Sequence, residues 1–295
     1  HLFSSAASDV YKRQPVSPHF PLRAPPEFYN LYADADFDLE QQQLPDHPEI
    51  RNLARFFDYE RHFTAETRHA AMAGYFGLTS FLDDCVGEIL ATLEESGQAE
   101  DTVILYLSDH GELLGEKGMW TKQVMYEASA GIPMILAGSG VPDGIVRNTA
   151  ASIVDVAATA LDVMLDTSDD SSPGLSLRQL AQDPDDADRT VLCEYHDGGS
   201  TTGAFMVRWG DWKYVCYPGM PPQLFNLAED PSEDHDLGSD VSQRAAAARA
   251  EGAARLAAIC DADAVNRQCF ADQAARIEAL GGIDVCRNAH LFNHT

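Results

Sequence analysis

Asp109, His110 and Gly111 stand side by side where the apolar run TVILYL (residues 102–107) ends and a loop dense with charge begins. A carboxylate and an imidazole can both ligate a divalent cation, and a glycine beside them lets the backbone turn sharply. In open α/β sheets ligands bind beyond the carboxyl ends of the strands, which is where this tripeptide falls. Asp-His-Gly is also an ordinary turn, so position alone leaves both readings open.

The elements that must position this turn are legible on either side of it. Met72, Tyr75, Leu82, Val86, Ile89 and Leu93 recur at helical spacings between about residues 64 and 96, and Gly97 follows as a C-cap. TVILYL and IPMILAG (residues 132–138) are short apolar runs of the kind buried on both faces of a sheet, and residues 152–165 are apolar at helical spacing. Helix, strand, loop, strand, helix makes an α/β arrangement. After the acidic linker DTSDDSSPG (166–174), AFMVRWG, DWKYVCY and QLFNLAEDP read as an antiparallel meander with turns at Gly210-Asp211 and Pro218-Gly219. Asp155 and Trp212 look like helix capping and core. The tail from about Ser242 is Ala-rich and helical. The proline-rich stretch after Gln14, which holds His19, runs as an extended loop.

Composition narrows the function. The 295 residues carry 47 Asp plus Glu against 20 Lys plus Arg, a formal net charge of -27. That field repels nucleic acid and anionic membrane, and no basic patch offsets it. No stretch approaches the ~20 apolar residues of a membrane span. The six cysteines (85, 193, 216, 260, 269, 286) show no metal-ribbon spacing and read as free thiols, with a disulfide among the last three as the alternative. Residues 1–14 have no period of either kind and read as a sequencing or cloning scar.

The segment SDHGELLGEKGMWTKQVMYEASAGIPMILAG resembles the metal-binding loop of the sulfatases, members of the alkaline phosphatase superfamily, especially the branch of the choline sulfatases and iduronate 2-sulfatases. The residues that carry the likeness are Asp109, His110, Gly111, Leu114, Gly115, Glu116, Gly118, Trp120, Lys122 and Ile132-Pro133. PHFPLRAPPEFYNLY is similar to that family's Pro-His-x-Pro loop, and EYHDGGSTTGAFMVRWGDWKYV and PPQLFNLAEDPSEDHDL resemble its C-terminal sheet.

The resemblance implies an alkaline-phosphatase-like α/β sulfatase core with its first part missing (residues 15–185), a small antiparallel-sheet subdomain (186–240) and a helical tail (241–295). It implies that Asp109 and His110 ligate a divalent metal, calcium first, with manganese or magnesium as alternatives. Lys122 and His19 would contact the sulfate ester, and Lys117, five residues before Lys122, would be silent. His196 either reaches the substrate pocket or packs on the meander. The family's nucleophile is a formylglycine made from Cys or Ser in Cys/Ser-x-Pro-x-Arg, and nothing in this chain fits. Cys216-Tyr217-Pro218-Gly219-Met220 has Met where Arg is required. The early paired aspartates are absent too, so the resemblance implies an N-terminally truncated chain that is inactive by itself.

The implied substrate is a small sulfated sugar, choline or aryl ester, with no nucleic-acid or membrane partner; a homo-oligomer is allowed and the compartment is open. A phosphonate monoester or phosphodiester hydrolase of the same superfamily, or a noncatalytic sulfatase-like protein, is the alternative. The upstream coding sequence separates these classes.

Overall fold

The computed structural model describes residues 12–40, 42–167 and 171–288. Most of the expected scar, and residues 168–170 of the acidic linker, lie outside the described residues.

The proline-rich loop leads into a single helical turn, α1 (Pro26–Tyr29), and lies along a long helix. Between them come α2 (Pro48–Phe57) and the short α3 (Tyr59–His62); the long helix is α4 (Ala65–Glu95). Gly74 and Gly77 let the loop approach: a methyl group at Gly74 would overlap the Leu22 carbonyl, and one at Gly77 would meet Ala24 and Phe28. The chain passes Gly97 in the left-handed region (φ 72), as the C-cap reading requires.

The strand β1 (Val103–Leu107) then leads straight to Asp109, and β2 (Met134–Gly138) returns beside it after the short helix α5 (Glu127–Ala130). The pairing is antiparallel, Leu105 opposite Leu136. The expectation of burial on both faces is not met. Every β1 residue is half-buried and Ile135 is 58% exposed, because each strand has only the other as a neighbour among the described residues. Beyond β2 lie α6 (Val154–Leu165) and α7 (Leu177–Gln182). Asp155 plays its expected part: fully buried, its carboxylate accepts from the Ser152 and Leu175 amides and from Arg189.

The meander is a four-stranded antiparallel sheet: β3 (Val191–Tyr195), β4 (Ala204–Trp209), β5 (Trp212–Cys216) and β6 (Gln223–Asn226), paired in that order. β3 was not read from the sequence. The helices α8 (Gln243–Ile259), α9 (Ala262–Ala279) and α10 (Ile283–Asn288) make the tail, with the Ser242 hydroxyl capping α8. Alternation sorts the sheet's two faces. Phe205, Val207, Trp209, Tyr214 and Leu224 pack on Ala245, Ala248 and Leu256 of α8, while Met206, Val215 and Tyr217 face the loop between β1 and β2 through Met125. All three C-terminal cysteines are free thiols, so the disulfide alternative falls.

Lys213 lies on the loop-facing side and is fully buried. Its Nζ donates to the Met125 carbonyl at 2.9 Å and pairs with Glu127 (2.5 Å) and Glu233 (2.7 Å). The other oxygen of Glu233 accepts from the Glu127 amide at 2.6 Å. One ammonium therefore ties the loop to the sheet. Lys117, expected to be silent towards the ester, adds a second tie that is structural. It is 8% exposed, donates to the Glu233 carbonyl and Asp234 Oδ1, and lies 5.7 Å from the centre of the Tyr126 ring.

Removing one partner of a buried ion pair strands the other charge, so Lys213→Met should cost about 3–5 kcal/mol in urea unfolding; a loss within experimental error would show that the carboxylates find solvent. Burial raises the Glu233 carboxyl above its ordinary 4.5 against the lowering pull of Lys213. A raised carboxyl holds its proton more tightly when folded. Its contribution is full below the ordinary value and fades as pH rises through the raised one. Wild type should therefore lose stability relative to Glu233→Gln from about pH 4.5 towards neutrality. Parallel curves for the two proteins would contradict this.

Candidate active site

The loop that follows Asp109 is part of the core. Leu113, Met119, Trp120, Val124 and Tyr126 are buried with Ile50 and Leu53 of α2, Tyr59 of α3 and Phe225 of β6. Trp120 stacks on Phe63 with ring centres 3.9 Å apart. At the base of the loop the Gly111 amide donates to the Ser129 carbonyl at 2.7 Å, and further out the Leu113 amide donates to the Thr121 carbonyl at 2.8 Å. Glu112 closes the ring, its Oε1 accepting from the amides of both Leu114 and Thr121. Burial pushes the Glu112 carboxyl up, although these amides, His110 and Lys122 pull it down.

The backbone pays for this path in conformation. Leu114, Gly115, Lys117, Gly118, Thr121 and Gln123 all have positive φ. For the β-branched Thr121, at φ 67, that region is sterically poor and costs of order 1–3 kcal/mol.

Closing the loop brings Lys122 back over the end of β1. Its Nζ donates to Nε2 of His110 at 2.8 Å and to Nε2 of His19 at 3.0 Å, a residue 103 positions earlier in the chain. The tautomers follow from the other ring nitrogens. Nδ1 of His110 meets the Gly111 carbonyl and Nδ1 of His19 meets the Phe20 carbonyl, each at 2.8 Å. A carbonyl only accepts, so both Nδ1 atoms carry hydrogen and both Nε2 lone pairs face the ammonium. His19 stacks on Phe20 and meets His110 edge-on at 5.8 Å. Burial lowers the Lys122 ammonium below the ordinary lysine range, partly offset by Asp109 and Glu112.

Asp109 is 78% exposed at its side chain, with Oδ1 3.8 Å from His110 Nε2. As metal donors the pair fits in kind, a hard oxygen beside an imidazole, but not in number. Among the described residues no group of three or more His, Cys, Asp or Glu gathers to hold an ion, and Lys122 already engages Nε2 of His110.

Of the residues singled out in the sequence, His19, Asp109, His110 and Lys122 thus come together. His196 packs on the meander instead, its ring 4.9 Å from that of Phe205 and hard against Gly203, with Nε2 buried and unpartnered. Sequence reasoning missed Glu112 and Gln123. Gln123 Oε1 accepts from the Lys122 amide, the Thr121 hydroxyl and the Tyr59 hydroxyl, and burial pushes the Tyr59 phenol up to about 12. The signal available for both was their place in the same loop as Lys122.

The chain is similar to several known proteins. Residues 115–255 match the family described as N-sulphoglucosamine sulphohydrolase, C-terminal. The choline-sulfatase of Rhizobium meliloti (strain 1021) is 34% identical over 234 residues, 76% of this chain and 45% of that protein. Arylsulfatase K of Danio rerio is 34% identical over 195 residues, 62% of this chain and 37% of that protein. Among solved structures, the phosphonate monoester hydrolase of Silicibacter pomeroyi superposes with a TM-score of 0.66 at 27% identity, covering 79% of this chain and 52% of that one. The chain thus spans about half the length, or less, of the relatives it matches. Residues 14–167, more than half of the chain, match the Sulfatase family itself, and with the loop and sheet described above this chain belongs to the sulfatase family.

Proposed function

We propose that this chain carries the Lys-His part of the active site of a sulfuric ester hydrolase acting on a small sulfated sugar, choline or aryl ester. The observation that carries the reading is the Lys122 ammonium held between Nε2 of His19 and Nε2 of His110 at the end of β1. In sulfate ester hydrolysis negative charge develops on the nonbridging oxygens and on the departing alkoxide. A partly desolvated ammonium aimed at a nonbridging oxygen stabilises the first, and His19 beside it is the group assigned to the leaving-group oxygen.

Asp109 and His110 are by this reading two ligands of a divalent cation, calcium with manganese or magnesium as alternatives, and His110 would offer it the Nε2 lone pair that Lys122 otherwise engages. When bound, the cation would supply Lewis-acid stabilisation of the ester oxygens. The remaining ligands and the formylglycine nucleophile would come from a part of the protein outside these 295 residues. A second reading, a phosphonate monoester or phosphodiester hydrolase, is supported by the likeness to the Silicibacter pomeroyi enzyme. Both readings share a tetrahedral oxyanion at Lys122.

The assay uses p-nitrophenyl sulfate and the protein produced from the complete coding sequence in a host that makes formylglycine. Lys122→Ala should lower kcat/KM by about 10²-fold or more, because an ammonium at developing charge in a water-poor site is worth several kcal/mol. Arg276→Ala, at an exposed position of α9, should stay within about twofold. Equal losses would show a diffuse field and no placed contact. The 295-residue chain alone is expected to give no turnover. Turnover by it that is lost in Asp109→Ala would mean the nucleophile lies within the chain.

A further inference from the structure

We infer that Glu112 and Gln123 are positioning residues that hold Lys122 on a strained stretch of backbone, and that this held strain aims its ammonium; the inference rests on the function proposed above. Thr121 and Gln123, the residues on either side of Lys122, sit at φ 67 and 91. Earlier in the same loop, two of the positive-φ positions are filled by Gly115 and Gly118, which adopt that region freely. Flanking Lys122 the chain uses side-chain-bearing residues, one of them β-branched, and such geometry persists only where its surroundings over-determine it.

Glu112 and Gln123 supply that determination. Glu112 Oε1 takes the Thr121 amide, and the Leu113 amide takes the Thr121 carbonyl. Gln123 Oε1 takes the Thr121 hydroxyl at 2.9 Å and the Lys122 amide at 3.1 Å, and is itself fixed from α3 by the Tyr59 hydroxyl at 3.3 Å. The tripeptide is pinned from both ends while the Lys122 side chain reaches inward to the two imidazoles. A lysine has four rotatable carbons, so a relaxed backbone would let the ammonium wander. A misplacement of about 1 Å is enough to cost on the order of 10²-fold in rate.

The test compares Thr121→Gly, Glu112→Gln and Glu112→Ala in the protein from the complete coding sequence, reading melting temperature, kcat and KM for p-nitrophenyl sulfate, and the crystallographic position of Lys122 Nζ. Glycine relieves the strain, so Thr121→Gly should melt at or above wild type while kcat falls about tenfold or more and KM changes by less than about threefold. Glu112→Gln keeps a carbonyl acceptor for the Leu114 and Thr121 amides and should hold kcat within about threefold, whereas Glu112→Ala should fall with Thr121→Gly. Wild-type kcat in Thr121→Gly, a melting point well below wild type for that variant, or equal losses in both Glu112 variants would each overturn the inference. If wild type turns over no sulfate ester, the proposed function fails on its own, and the structure of Thr121→Gly decides the inference. Lys122 Nζ displaced from His110 Nε2 supports it; an unchanged Nζ overturns it.

Discussion

A lysine ammonium with no access to water is the constraint around which this molecule is arranged. Lys213 is buried between a sheet and a loop, and a lone charge there would cost several kcal/mol. It is met by Glu127 and Glu233 and by the Met125 carbonyl, and each of these partners fixes something else. Glu127 opens α5, whose Ser129 carbonyl receives the Gly111 amide beside His110. Met125 lies three residues after Lys122. Glu233 comes from the chain leaving β6, which also supplies Asp234 and a carbonyl to Lys117. Both limbs of the site loop are thus anchored on the C-terminal sheet, and the sheet is a foundation of the site as well as a neighbour of it.

On that foundation the loop reaches a state its sequence would not choose locally. Glu112 draws its two sides together, and the strain around Thr121 is offset by hydrogen bonds that only a closed loop provides. The product is a cation facing two imidazole lone pairs, with a carboxylate at Asp109 close by. The cluster puts one ammonium, two imidazole nitrogens and an exposed carboxylate at the end of β1.

Much of this was legible in the sequence, for physical reasons. Asp109, His110 and Lys122 are residue types that serve chemistry better than packing and mark their loop, and the long helix and the last three strands have clear periods. The rest was hidden where local pattern and tertiary setting disagree. Lys213 in DWKYVCY alternates like a solvent-facing residue, yet the face it points to is covered by the site loop. Glu233 sits in the acidic tract EDPSEDHD and reads as surface. Nothing local announces that Asp234 meets Lys117 across the fold. β3 was missed because VLCEY has a charged residue in a run too short to show alternation. The apolar runs of β1 and β2 suggested a two-sided burial that a two-stranded ribbon does not give.

The site loop takes its order from the sheet through Lys213. Amide hydrogen exchange in the protein from the complete coding sequence tests it most directly, comparing wild type with Lys213→Met under conditions where both remain folded. Lys213→Met should exchange faster across residues 111–129, including the amides of Gly111 and Thr121, with the amides of β4 unchanged. Exchange that rises only within β5, or nowhere, would contradict it and leave the loop ordered by its own contacts alone.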